Sequence, residues 1–222
     1  MGGEGMSLYY QDESVTLYHG RCEEIPEWQA MDTLVTDPPY GVDYQSGSRR
    51  DTLAASILND KDTSVRDYML SVWGDKPALV FGSWKIQRPK ATKALLIWDT
   101  KGALGMGDLR IPWKPSHQEI YVLGDGPWQG RRTTDVLSYA PVQSMATNGR
   151  LHPHQKPIPL MEALIAKTVG SIADPSAGSG STLVAAKALG QKSVGVELDE
   201  RYCEIIAKRC QQEVLDIFGG AA

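Results

Sequence analysis

From Ile172 to Glu197 the chain reads strand, glycine-rich turn, helix and strand. Ile172-Ala173 is apolar, and Asp174-Pro175-Ser176-Ala177-Gly178-Ser179-Gly180-Ser181-Thr182 follows it. A helix from Ser179 to Leu189 puts Leu183 and Val184 on its core side and ends at Gly190 as a C-cap. Lys192 to Glu197 is then a strand that finishes on an acid. Elsewhere too, short apolar runs alternate with helical patterns. Such a chain folds as a doubly wound, mostly parallel α/β sheet with ligands at the carboxyl ends of the strands. Gly178 and Gly180 let the backbone approach a ligand with no Cβ in the way. Glu197 lies about twenty residues beyond the turn, a spacing that suits hydrogen bonds to two ribose hydroxyls.

A dinucleotide site is the rival for this pattern. Leu183 stands where a third glycine would be, and no Walker lysine follows Gly180. Both facts argue against a pyrophosphate ligand. Asp174 adds a negative charge that a pyrophosphate would repel and a cationic amino-acid tail tolerates.

A second stretch carries chemistry. Thr33-Leu34-Val35 is apolar and leads into Thr36-Asp37-Pro38-Pro39-Tyr40-Gly41. The prolines fix two φ angles, remove two donors and leave a stiff turn where a strand ends. The turn offers a carboxylate, backbone carbonyls and a flat ring. That set suits a planar group bearing an NH₂: two acceptors for its hydrogens and a ring for its face. The plainer reading is a strand-ending turn with a packed tyrosine.

Together the two stretches resemble the amino-methyltransferases of DNA, which methylate an exocyclic base nitrogen from S-adenosylmethionine. The resemblance rests on Asp37 to Tyr40 as the catalytic motif, His152-Pro153-His154-Gln155-Lys156-Pro157 as a box, and Asp174 to Ser181 as the cofactor loop. Their order along the chain is that of the circularly permuted β group, and the likeness covers residues 14–210. It implies a catalytic set of Asp37, Pro38, Pro39 and Tyr40. It also implies a cofactor set of Asp174, Pro175, Ser176, Ala177, Gly178, Ser179, Gly180, Thr182 and Glu197. His154, Gln155 and Lys156 would close that site, Lys156 reaching the methionine carboxylate. Where the family carries Gly-Asp-Cys, this chain has Gly20-Arg21-Cys22, so the acid associated with the cofactor's adenine is missing; Glu23 or Glu24 is the candidate substitute. The resemblance further implies double-stranded DNA as partner, a homodimer, and the cytoplasm of a bacterial or phage-infected cell, in restriction–modification or phage modification. No metal is required.

The 222 residues suit one domain, placed at residues 13–218, with residues 1–12 loose and 219–222 a tail. No apolar run reaches the roughly 20 residues of a membrane span. Three cysteines without metal-ligand spacing suit a reducing compartment. The net charge of −4 argues against coating of nucleic acid by bulk charge but not against a local footprint. Candidate footprints are Lys85 and Arg88 beside Trp84, Arg131-Arg132, and Arg49-Arg50. For any single cluster a solvated face is the slightly favoured reading. Residues 41–63 form a long polar loop, read as a lid or a DNA-contacting loop. A recognition segment within residues 124–150 is short for a separate domain, which bears on site selectivity.

The motif as Asp-Pro-Pro-Tyr points to adenine N6 within the family. Cytosine N4, an RNA or protein-amide substrate, and a non-catalytic cofactor-binding or DNA-binding module are the alternatives.

Overall fold

The computed structural model describes residues 7–39, 62–102, 107–142 and 155–219. Among these residues nine strands make one sheet. In chain order they are β1 (Ser7–Gln11), β2 (Val15–His19), β3 (Thr33–Thr36), β4 (Ala78–Gly82), β5 (Ala94–Asp99), β6 (His117–Leu123), β7 (Val136–Ser138), β8 (Ile172–Asp174) and β9 (Ser193–Glu197). The helices are α1 (Ser64–Trp73), α2 (Ile158–Ile165), α3 (Ser181–Ala188) and α4 (Glu200–Gly219), with a 3₁₀ turn at Pro26–Ala30.

The spatial order is β1-β2-β9-β8-β3-β4-β6-β5-β7. From β2 through β4 every neighbouring pair is parallel. The expected doubly wound parallel sheet therefore forms the centre of the molecule. Two reversals frame it: β6 runs antiparallel to both β4 and β5, and β1 antiparallel to β2. Because β6 is reversed, its first residue, His117, lies opposite Asp99 at the edge where the parallel strands end. The chain between them, residues 100–116, thus starts and finishes at that edge.

The central strands are buried on both faces, which is why they read as continuous apolar runs rather than alternating ones. Leu34 and Val80 pack with Trp28, Met69 and Trp73 on one side. Val35, Leu79 and Phe81 pack with Leu160, Leu164 and Ile165 of α2 on the other. Trp28 and Trp73 stack at 5.8 Å. A further cluster joins Val15 and Leu17 to α3 and to Cys203, Ile206 and Cys210 of α4. No helix among the described residues is long and apolar enough to cross a membrane.

One expectation needs correction. Ser7–Gln11, read from sequence as loose, is the edge strand β1. The Asp12 carboxylate holds the hairpin turn by accepting from the amides of Ser14 (2.8 Å) and Val15 (2.7 Å). It also pairs with the Lys187 ammonium of α3. The turn bonds and the long-range pair with Lys187 order a segment that has no apolar period of its own.

Candidate active site

Strands β3 and β8 lie side by side and parallel, so their carboxyl ends open together. Thr36, the last residue of β3, donates its hydroxyl to Asp174, the last of β8, at 2.8 Å. That bond ties the Asp37-Pro38-Pro39 segment to the glycine-rich turn. Asp174 is only 2% exposed. Burial pushes its carboxyl up to about 6, against hydrogen bonds from Thr182, Thr36 and the Ser176 amide, with Asp37 nearby pushing it further up. The resemblance counts Asp174 in the cofactor loop. In the structure it is an internal clasp between two strand ends.

The turn itself is built on backbone geometry. Gly178 and Gly180 have φ of 54° and 77°, a region L side chains avoid. The Ala177 amide bonds Val196 across the neighbouring strand at 2.9 Å, and the Gly180 amide closes on Ala177 at 2.7 Å. Gly180 is the N-cap of α3, and a Cβ there would stand 2.9 Å from Ile206. Pro175 and Ser179 are buried, and the Ser179 carbonyl accepts from the Arg209 guanidinium.

Glu197 closes the other side of the turn. Its two oxygens accept from the amides of Gly178 (2.7 Å) and Asp199 (2.8 Å). Burial nevertheless pushes its carboxyl up to about 7, with Asp199 and Asp174 adding to the rise. Each carboxylate oxygen has a second lone pair, so the acid retains acceptor capacity toward a diol. The Gly20 amide bonds the Glu197 carbonyl at 3.0 Å, which brings Gly20-Arg21-Cys22 beside it. There Arg21 pairs with Glu23 at 3.2 Å, so Glu23 is partly engaged within its own loop.

Lys156 is 5% exposed, and its ammonium pairs with the Asp37 carboxylate. The same nitrogen lies 4.7 Å from the Phe81 ring centroid and 6.0 Å from that of Trp98. The sequence reading had assigned Lys156 to the cofactor. Gln155 is half-buried beside it, Pro38 is buried and Pro39 half-buried. Tyr40, His154, Arg49, Arg50 and residues 41–61 lie outside the described residues.

The cationic candidates divide. Lys85 is exposed just past the end of β4, with its ammonium 5.9 Å from the ring of Trp84, itself 62% exposed. Arg88 is committed to Glu119, donating at 2.5 and 3.1 Å. Arg131 and Arg132 are exposed but belong to a different edge. Their segment is anchored through Trp128 to Thr168, and through the Arg131 carbonyl to the Lys167 ammonium. Those anchors precede β8, at the amino end of the sheet, away from Asp37.

Sequence reasoning missed Glu119. It lies buried in β6 and accepts from Arg88 and from the Tyr121 hydroxyl (3.0 Å), whose oxygen also lies 3.2 Å from the Ser83 carbonyl. This network, with Arg66 donating to the Gln87 carbonyl at 2.9 Å, fixes the turn after β4. An acid directly bordering the apolar run Ile120–Leu123 was the available signal.

Against known proteins, residues 67–208 match the model of a DNA methylase family whose members act as N6/N4 methyltransferases. The type II methyltransferase M.ScaI of Streptomyces caespitosus is 34% identical, with 95% of this chain and 86% of that protein covered. Two solved structures share the fold. One is the M1.HpyAVI–SAM complex, with TM-score 0.64, 20% identity, and 88% and 99% of the two chains covered. The other is the PvuII DNA methyltransferase (cytosine-N4-specific), with TM-score 0.65, 15% identity, and 96% of each chain covered. A sheet whose paired strand ends carry Asp37 and the glycine-rich turn, a family match over most of the chain, and a relative aligned nearly end to end agree: the chain belongs to the N6/N4 DNA methylase family.

Proposed function

We propose that the protein transfers a methyl group from S-adenosylmethionine to the exocyclic amino group of a flipped DNA base, with adenine N6 the first choice. The observation that carries this reading is the joining of Asp37 to the glycine-rich turn through Thr36 and Asp174. A catalytic carboxylate and a nucleoside-binding turn then share one edge of the sheet. The motif order, with Asp37 preceding the glycine-rich turn along the chain, supports membership of the permuted β group.

The residues fit the cofactor. Glu197, held by two amides, suits the ribose hydroxyls, and the turn at Gly178–Gly180 brings bare backbone to the nucleoside. The M1.HpyAVI structure of the same fold is a SAM complex. When bound, S-adenosylmethionine supplies the methyl group as a sulfonium substituent.

The target base leaves the stack at a cost of a few kcal/mol. Asp37 and the Pro38 carbonyl then accept its two amino hydrogens, and Tyr40 stacks on its face. This draws the nitrogen lone pair out of ring conjugation and aims it at the methyl carbon. Catalysis comes from orientation and placed charge.

Asp-Pro-Pro-Tyr is the form that favours adenine N6. Cytosine N4 is the second reading, and the observation on its side is the likeness in fold to the PvuII enzyme. The test of the site is Asp37→Ala. Turnover on DNA should fall by about 10²–10³ while S-adenosylmethionine binding, measured by calorimetry, persists. Near-normal turnover would refute the assignment.

A further inference from the structure

We infer that Lys156 is a positioning residue for Asp37: it holds the catalytic carboxylate in place and ties it to the glycine-rich turn. This rests on the reading of Asp37 as acceptor of an amino hydrogen.

A lysine whose side chain is only 5% exposed is costly unless its ammonium is paired. The structure meets that cost from three strands. Asp37, following β3, supplies the counter-charge. Phe81 of β4 and Trp98 of β5 supply ring faces at 4.7 and 6.0 Å. The nitrogen is thereby confined from several sides, and a charge-assisted bond to a confined donor restricts the carboxylate in turn.

That restriction matters at Asp37. The residue has just left β3 and is followed by two prolines, and an Asp carboxylate turns easily about its last torsion. A rotation of the carboxylate moves the acceptor away from an amino hydrogen, and misplacement of this size is expensive in rate.

The main chain of Lys156 is fixed elsewhere. Its carbonyl accepts from the buried hydroxyl of Ser181 at 2.8 Å. Ser181 opens α3 directly after Gly180, so it belongs to the end of the nucleoside-binding turn. Lys156 therefore spans the two halves of the site, its backbone on the turn and its side chain on the catalytic acid. A role as ligand of the methionine carboxylate would require that group to reach an ammonium already buried among Asp37, Phe81 and Trp98.

The test is a double-mutant cycle. Lys156→Met keeps the stem and removes the charge. Measurements are the single-turnover methylation rate at saturating DNA and S-adenosylmethionine, and the calorimetric Kd for S-adenosylmethionine alone. With Asp37 present, the rate should fall about 10- to 100-fold while the Kd stays within about threefold. In the Asp37→Ala background the same change should cost less than about twofold, because the residue acts through Asp37. Equal losses in both backgrounds, or a Kd weakened tenfold or more, would overturn the proposal; the second result would restore Lys156 to the cofactor. If Asp37→Ala alone leaves the rate unchanged, the reading of Asp37 fails and this inference falls with it. Thermal melting checks the fold of each variant, and Lys156→Gln is carried through the same cycle should the methionine variant not fold.

Discussion

Replacing Glu197 by Gln should change how stability depends on pH, and the structure sets the size of the change. The Glu197 carboxyl is pushed up to about 7 from an ordinary 4.5. Between those values the native state holds a proton that the unfolded chain has released. Stability therefore falls as pH rises through the window, and the cost of keeping the ionised acid is complete only above about pH 7. At about 1.36 kcal/mol per unit, the full shift corresponds to about 3 kcal/mol. Most of it is traversed between pH 5 and pH 8.

Gln cannot titrate. Its amide NH₂ must also face one of the two amides that now donate to Glu197, which costs about 1–3 kcal/mol at every pH. Absolute stabilities mix the two effects, so the useful quantity is the difference between the proteins as a function of pH. Asp174, raised to about 6, titrates in both proteins and cancels to first order. Urea unfolding without cofactor at pH 5, 6, 7 and 8 gives that difference. Wild type should lose about 2–3 kcal/mol relative to Glu197→Gln from the lowest to the highest pH. Parallel pH profiles, or wild type gaining on the variant as pH rises, would refute the burial of this acid as described.

Other consequences follow from single contacts. Gly180→Ala forces a Cβ to 2.9 Å from Ile206 at a φ of 77°, and should destabilise by about 1–3 kcal/mol in urea unfolding; an unchanged midpoint would contradict the turn geometry. Lys85 lies at the carboxyl edge with Asp37, and Arg131 is anchored at the opposite edge. Lys85→Ala should lower the slope of log K against log salt for DNA binding by about 0.9, and Arg131→Ala should leave it unchanged; the reverse outcome would move the DNA footprint to the other edge.

The elements were largely legible because they depend on local pattern. The helix Ser64–Trp73 has Val65, Tyr68, Met69 and Val72 at helical spacing, and the strands through Ala78, Ala94 and Ser193 are short apolar runs. Strand β1 was not legible, since its order comes from an Asp12 turn and a Lys187 pair set by the tertiary fold. The same division holds at the site. Residue types announced a carboxylate and a nucleoside turn, but not which groups touch. Asp174 meets Thr36, and Lys156 meets Asp37, only because β3 and β8 are neighbours and Lys156 is placed over β4 and β5. The basic clusters looked alike in sequence. The tertiary fold separates Lys85, exposed past the end of β4, from Arg88 spent on Glu119 and Arg131 at the far edge.

The most direct test of the account is mass spectrometry of nucleosides from DNA incubated with the protein and methyl-labelled S-adenosylmethionine, beside an Asp37→Ala control. The account predicts labelled N6-methyladenine that disappears in the variant. Labelled N4-methylcytosine would keep the site and change the base. DNA without label, from a protein that binds S-adenosylmethionine, would contradict the central claim.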